Sequence, residues 1–176
     1  MSKVNPVAKA FVDKFYHFAL QTQEKTGISA VAILAQAAVE SAWGKSAPGH
    51  MFFGVKDTDG INGNEQLLTT TEYLATNKAK FPQVISVTWD KTKKLYKYVV
   101  KDYFRKYTTP EACFTDHAQF FFKNKRYAAA LLVKGNPDLF IDAIAKAGYA
   151  TAPDYAKTLK SVARMIETAI LHRQNS

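Results

Sequence analysis

From Ala30 to Val39 the chain carries no charged residue, and the first charge after that run is Glu40. Ser29 suits the N-cap of a helix starting here, and Gly44 suits its stop. The spacing predicts a helix carrying Val31 to Trp43. Small and apolar residues occupy almost every position up to Glu40. A helix that is apolar all round must be covered on every side, so it belongs in the interior of a domain with a substantial core. The chain has 176 residues, 47% of them hydrophobic, which suffices for one such domain.

Other punctuation marks the elements around this helix. Asn5-Pro6 reads as an N-cap with proline in the first turn, and Val7, Phe11, Phe15 and Phe18 recur at helical spacing until Gly27. Pro48 to Asn64 is rich in Gly, Asn and Asp and reads as loop. Gln66–Leu74 is Thr-rich, and Tyr96–Tyr107 is rich in Tyr, Val and Phe. These two read as an antiparallel strand pair joined by a long basic excursion. Three helices follow, starting at Thr109-Pro110-Glu111, at Asn136-Pro137-Asp138 and at Thr151-Ala152-Pro153-Asp154, the last with a capping-box pattern. Gly148 closes the middle one. The expected architecture is α+β: one mainly helical domain over residues 1–176, with an inserted, extended β-hairpin lobe at about 64–108.

Charge narrows the function classes. Twenty-four Lys and Arg against 15 Asp and Glu leave +9. Nine of those cations and only two acids lie between Lys78 and Lys106. Such a segment suits a polyanion: nucleic acid, anionic lipid or a wall polymer. No apolar run reaches the roughly 20 residues of a membrane span. The first residues lack an apolar h-region, so no signal peptide is expected. The single cysteine, Cys113, excludes an internal disulfide.

Glu40 is the residue most suggestive of chemistry. Gln36, Glu40 and Trp43 are spaced to share one helical face. The negative end of a helix disfavours an ionised carboxylate, and so does burial; both raise its pKa. A carboxylic acid that stays protonated near neutrality is what glycosidic cleavage needs as general acid. A structural bracket to a loop amide is the alternative. Glycosidases usually work with two carboxylates. Glu72, on the first strand, is the best second one, with Glu65, Asp57 and Asp59 nearby.

The string Gln36-Ala37-Ala38-Val39-Glu40-Ser41-Ala42-Trp43-Gly44 resembles the signature helix of the bacterial glucosaminidases of glycoside hydrolase family 73, which include a flagellar rod-associated domain and many autolysins. Phe52-Phe53-Gly54-Val55-Lys56 is similar to that family's Leu-Phe-Gly-Ile-Lys motif. Thr71-Glu72-Tyr73 matches its hairpin glutamate, and Tyr103-Phe104-Arg105-Lys106-Tyr107 resembles a strand motif. Arg126-Tyr127 and Ala147-Gly148-Tyr149-Ala150-Thr151 fit its C-terminal helices. The matches run in order across roughly residues 28–160.

The resemblance implies a lysozyme-like fold. It also implies hydrolysis of peptidoglycan after N-acetylglucosamine, with muramidase cleavage left open. It makes Glu40 the general acid, Glu72 the second carboxylate and Tyr149 a tyrosine of the site. Trp43, Phe53 and Tyr155 become sugar-stacking candidates, although core packing is favoured for Trp43. Gly54, Lys56 and Tyr73 become substrate-binding candidates. Neither metal nor cofactor is implied. The partners implied are glycan strands of peptidoglycan, met by a monomer, with attraction to an anionic envelope through the basic excursion beside the cleft and no nucleic acid. The site of action is then the cell wall, reached by phage lysis, by non-classical export or after loss of a leader. Two departures stand out: His50-Met51 replaces the family's usual Asn, and Ala152 its Asp, with Asp154 available as a cap.

Two other readings remain open at this point. One is a glycan-binding scaffold without catalysis. The other is a nucleic-acid module stacking bases on Phe81, Trp89, Tyr96 and Tyr98. Cys113 and His117, four apart on a predicted helix, could be a thiol with its base or half a metal site. A buried Cys with a surface His is the reading favoured here.

Overall fold

The computed structural model describes residues 3–175; Met1, Ser2 and Ser176, the ends of the expected 1–176 span, lie outside the described residues. The chain divides into a helical unit, formed by the described residues up to Phe53 and from Tyr107 onward, and a sheet unit, Gly54–Lys106. A mostly helical chain with a small antiparallel sheet inserted is the lysozyme-like α+β arrangement expected.

In the helical unit, α1 (Pro6–Thr26) begins where the Asn5 side chain accepts from the Val7 and Ala8 amides at 2.9 and 3.1 Å. It ends at Gly27, whose left-handed φ of 75° lets its N–H reach Gln23. Its buried face is Ala8, Phe11, Val12, Phe15 and Ala19. Val7, expected inside, is exposed, because the 3.6-residue period carries the stripe through Ala8 instead. The charge-free helix, α2 (Ala30–Glu40), is buried without a break from Ala32 to Ala38 and packs on α1, α5 (Pro137–Lys146) and α6 (Tyr155–Gln174). α3 (Pro110–Lys123) packs on α1, with Thr109 capping it through the Ala112 amide at 3.1 Å.

The expected helix over Val31–Trp43 is three residues too long. α2 stops at Glu40, and Ala42 and Trp43 adopt left-handed φ values of 50° and 60°. Such conformations are costly away from glycine and persist only where surrounding contacts hold them. Here the Ser41 hydroxyl donates to the Ala37 carbonyl at 2.5 Å and accepts from the Gly44 amide at 2.9 Å. A short helix, α4 (Ala128–Leu131), was not expected. Asp154 takes the N-cap position of α6 as anticipated, yet its side chain makes no capping bond.

The sheet unit holds β1 (Glu65–Leu74), β2 (Gln83–Asp90) and β3 (Leu95–Arg105) in the order β1-β3-β2. The antiparallel β1–β3 pair is as expected. The basic excursion is not a plain connection, because it contains β2, which pairs back onto β3 with a bulge between Val84 and Ser86. The run Val84-Ile85-Ser86-Val87-Thr88-Trp89 is rich in β-branched residues and carried that signal.

Candidate active site

In the helical unit, Glu40 is the last residue of α2, and its side chain stays exposed at the helix end. Local desolvation raises its carboxyl above the ordinary value of 4.5. No basic residue stands in the last turn of α2 to offset this. The upward shift expected from the sequence is present, through local desolvation at the helix end rather than full enclosure.

One turn earlier, Gln36 is buried, with its amide nitrogen 3.2 Å from the Tyr155 hydroxyl and its carbonyl oxygen 3.2 Å from His117 Nε2. His117 Nε2 also lies 3.5 Å from the Tyr149 hydroxyl. Tyr149 owes its place to the end of α5. Left-handed Gly148 turns the chain so that the Gly148 and Tyr149 amides bond back to Ala145 and Ile144, each at 3.0 Å. Tyr155 opens α6, and its ring stacks on Tyr149 with centroids 5.6 Å apart. Burial raises both hydroxyl pKa values, Tyr155 to about 12, and the Glu40 charge adds to each shift. The Glu40 charge is thus felt at both hydroxyls, which places Glu40, Tyr149 and Tyr155 in one cluster.

Phe53 does not lie open as a sugar platform on both faces: one face stacks on His117 at 3.7 Å with a 12° tilt. A chain of rings, Phe15 to Phe52 and Phe52 to Phe114, each pair 5.1 Å apart, holds the preceding residue in the core and so positions Phe53. Trp43 does not share the helical face of Gln36 and Glu40, since the helix has already ended. It packs edge-on against Phe11 at 5.6 Å, in a groove it forms with α1.

His117 is the main residue that sequence reasoning misplaced. It is not a surface histidine. It is half-buried, stacked on Phe53 and edge-on to Phe121, and desolvation lowers its pKa to about 3. The stripe Cys113, Phe114, Ala118 and Phe121 on α3 is buried, and His117 falls within it at helical spacing; that periodicity was the available signal. Cys113 is buried as expected. Its sulfur accepts the Phe52 amide at 3.5 Å, and burial pushes its thiol up to about 12. A thiol this hard to ionise is no nucleophile. Cys113→Ala is expected to lower the Tm through the cavity it leaves, with the secondary structure unchanged; thermal melts and circular dichroism check this.

In the sheet unit, Lys56 joins Glu72 at 2.8 Å and Asp102 at 3.0 Å. Burial opposes its charge, but hydrogen bonds to both carboxylates outweigh it and raise its pKa. Lys56 is thus clamped between Glu72 and Asp102. Gly54, at φ 58°, sits in open space. Tyr73 does not join Glu72, because neighbouring strand residues point to opposite faces. Its ring instead receives the Lys93 ammonium at 3.5 Å. Cross-strand pairing puts Lys97 opposite Tyr73 and Lys101 opposite Thr69, so these cations share the face away from Glu72. Glu65 is tied up: one carboxylate oxygen accepts from the Asn62 and Gly63 amides, both at 2.9 Å. Asp57 and Asp59 lie in a turn with Arg105. Among the described residues, no three His, Cys, Asp or Glu side chains are grouped to hold a metal.

A lysozyme-like helical fold with a perturbed carboxyl at a helix end beside buried tyrosines is the build of a glycosidase. Comparison with known proteins narrows this class. The sequence profile of the glucosaminidase family, described as mannosyl-glycoprotein endo-beta-N-acetylglucosaminidase, matches residues 16–168, and the chain belongs to that family. It is 31% identical over 168 residues to the peptidoglycan hydrolase FlgJ of Pseudomonas aeruginosa, covering 92% of this chain and 37% of that protein. It is 29% identical over 161 residues to the exo-glucosaminidase LytG of Bacillus subtilis, covering 88% of this chain and 50% of that one. The chain thus spans half or less of the length of these relatives. The glycoside hydrolase domain of Salmonella typhimurium FlgJ superposes with a TM-score of 0.72 at 28% identity, covering 95% of this chain and 92% of that domain.

Proposed function

We propose that this protein hydrolyses the β-1,4 bond following N-acetylglucosamine in peptidoglycan, with Glu40 as general acid and Glu72 as second carboxylate. The observation that carries the reading is the Glu40 carboxyl, held above its ordinary range at the end of α2. Protonated, it can hand its proton to the departing glycosidic oxygen as the anomeric bond breaks. Glu72, as the partner of the Lys56 ammonium, suits the anionic role of the pair: accepting a proton from attacking water, or supporting attack by the substrate's own N-acetyl group. Tyr149 and Tyr155 supply hydroxyl donors near the acid. The peptidoglycan hydrolases among its relatives support the choice of substrate. The cations of Lys78–Lys106 would favour approach to an anionic envelope, an attraction that salt screens.

Mass spectrometry of a purified-sacculus digest after borohydride reduction tests the bond assignment. Reduced N-acetylglucosamine ends are expected. Reduced muramic acid ends would make the protein a muramidase, and no new ends would favour the binding-only scaffold.

A further inference from the structure

We propose that Gln36 and His117 form a positioning relay that sets the direction of the Tyr155 and Tyr149 hydroxyl protons in the cluster containing Glu40. It rests on the hydrolase reading above for its consequence and on geometry for its existence. The Gln36 amide nitrogen donates to the Tyr155 oxygen at 3.2 Å. This leaves its carbonyl oxygen facing His117 Nε2, also at 3.2 Å. Two acceptors cannot make so short a contact, so Nε2 carries the imidazole hydrogen and donates it to Gln36. It follows that the Tyr149 hydroxyl, 3.5 Å from the same nitrogen, cannot donate to it. Tyr155, already accepting from Gln36, likewise keeps its own proton for another partner. Both hydroxyls are thereby left as donors in the cluster where the Glu40 carboxyl titrates.

The surroundings hold this polarity in place. Gln36 is buried on α2, one turn before Glu40 and on its face. The imidazole is clamped by Phe53 on one face and meets Phe121 edge-on at 5.1 Å. The ionisable groups around the cluster are Glu40 from α2, Tyr155 from α6, Tyr149 after α5, the buried Tyr127, and Asp116 beside His117 on α3. Burial keeps His117 neutral across the range in which a raised carboxyl titrates, so the donor direction does not change as Glu40 gains or loses its proton.

Two measurements test the relay. Nitrogen-15 NMR of the histidine rings in the intact protein should show His117 as the neutral Nε2–H tautomer, without titration from about pH 5 to about pH 9. An Nδ1–H tautomer or a titrating ring would overturn the relay, whether or not the protein proves to be a hydrolase. Kinetics supply the second arm. His117→Phe keeps the stack on Phe53 and removes only the donor, and Gln36→Met keeps the shape of the side chain. Each should lower kcat by about tenfold with KM within about twofold, and each should shift the alkaline limb of the pH profile. The double variant should be no slower than the slower single one, because both break the same chain. Losses that multiply, that appear in KM alone, or that leave the pH profile in place would overturn it. Absence of activity in the wild type would defeat the hydrolase reading and leave the tautomer result standing.

Discussion

Glu40→Gln is expected to abolish release of sugar ends from purified peptidoglycan, by about a thousandfold or more in kcat, with the fold intact. The amide matches the carboxyl in shape and has no proton to give at that strength. In the wild type, activity should fall as pH rises through the Glu40 pKa, which lies above the ordinary 4.5 because the helix end desolvates the group. The same shift has a sign for stability. The folded protein holds this proton more tightly than the unfolded chain. Its contribution is therefore complete at low pH and is lost as pH rises through the raised value. Replacing the acid by Gln removes a charge from a place that disfavours it, so the Tm of the variant at about pH 8 should equal or exceed that of wild type. Near-normal clearance of sacculi by a folded Glu40→Gln protein would remove the residue from the mechanism.

Glu72→Gln is expected to cost about a hundredfold in kcat. Its ion pair with Lys56 is partly exposed, so the stability change should stay within about 1 kcal/mol. Asp102 still holds Lys56 in that variant, which keeps the lysine in place and isolates the loss to the carboxylate itself. An unchanged rate would dismiss Glu72. Glu65 would be a poor replacement, because two loop amides already occupy its carboxylate and lower its pKa. Activity and circular dichroism measured on the same samples separate these outcomes.

Several of these features were legible in the chain before folding. The Asn5-Pro6 start, the Ser29 cap and the Gly27 stop are local signals, and each stands where the sequence placed it. So does the pairing of the Glu72 strand with the one that follows the basic excursion. The failures came where local pattern met distant contacts. Trp43 followed Glu40 at helical spacing, but the Ser41 hydroxyl and a left-handed turn end the helix first. Tyr73, next to Glu72 in the chain, is turned to the opposite face of the sheet by strand alternation. Strand pairing also places Lys97 and Lys101 on the sheet face away from Glu72, which counting charges along the chain could not foresee.

The sequence by itself determined that one helix must be interior, that its only charge stands at the end where ionisation is disfavoured, and that a second carboxylate rides on a strand. These follow from periodicity and from the chemistry of residues close along the chain. Only the tertiary structure decided what surrounds them. Gln36 and His117 are 81 residues apart, and Gln36 and Tyr155 are 119 apart. No spacing rule links such partners. Burial does: once the apolar stripes close on each other, buried polar groups must satisfy their hydrogen bonds among themselves, and a glutamine, a histidine and two tyrosines become one network.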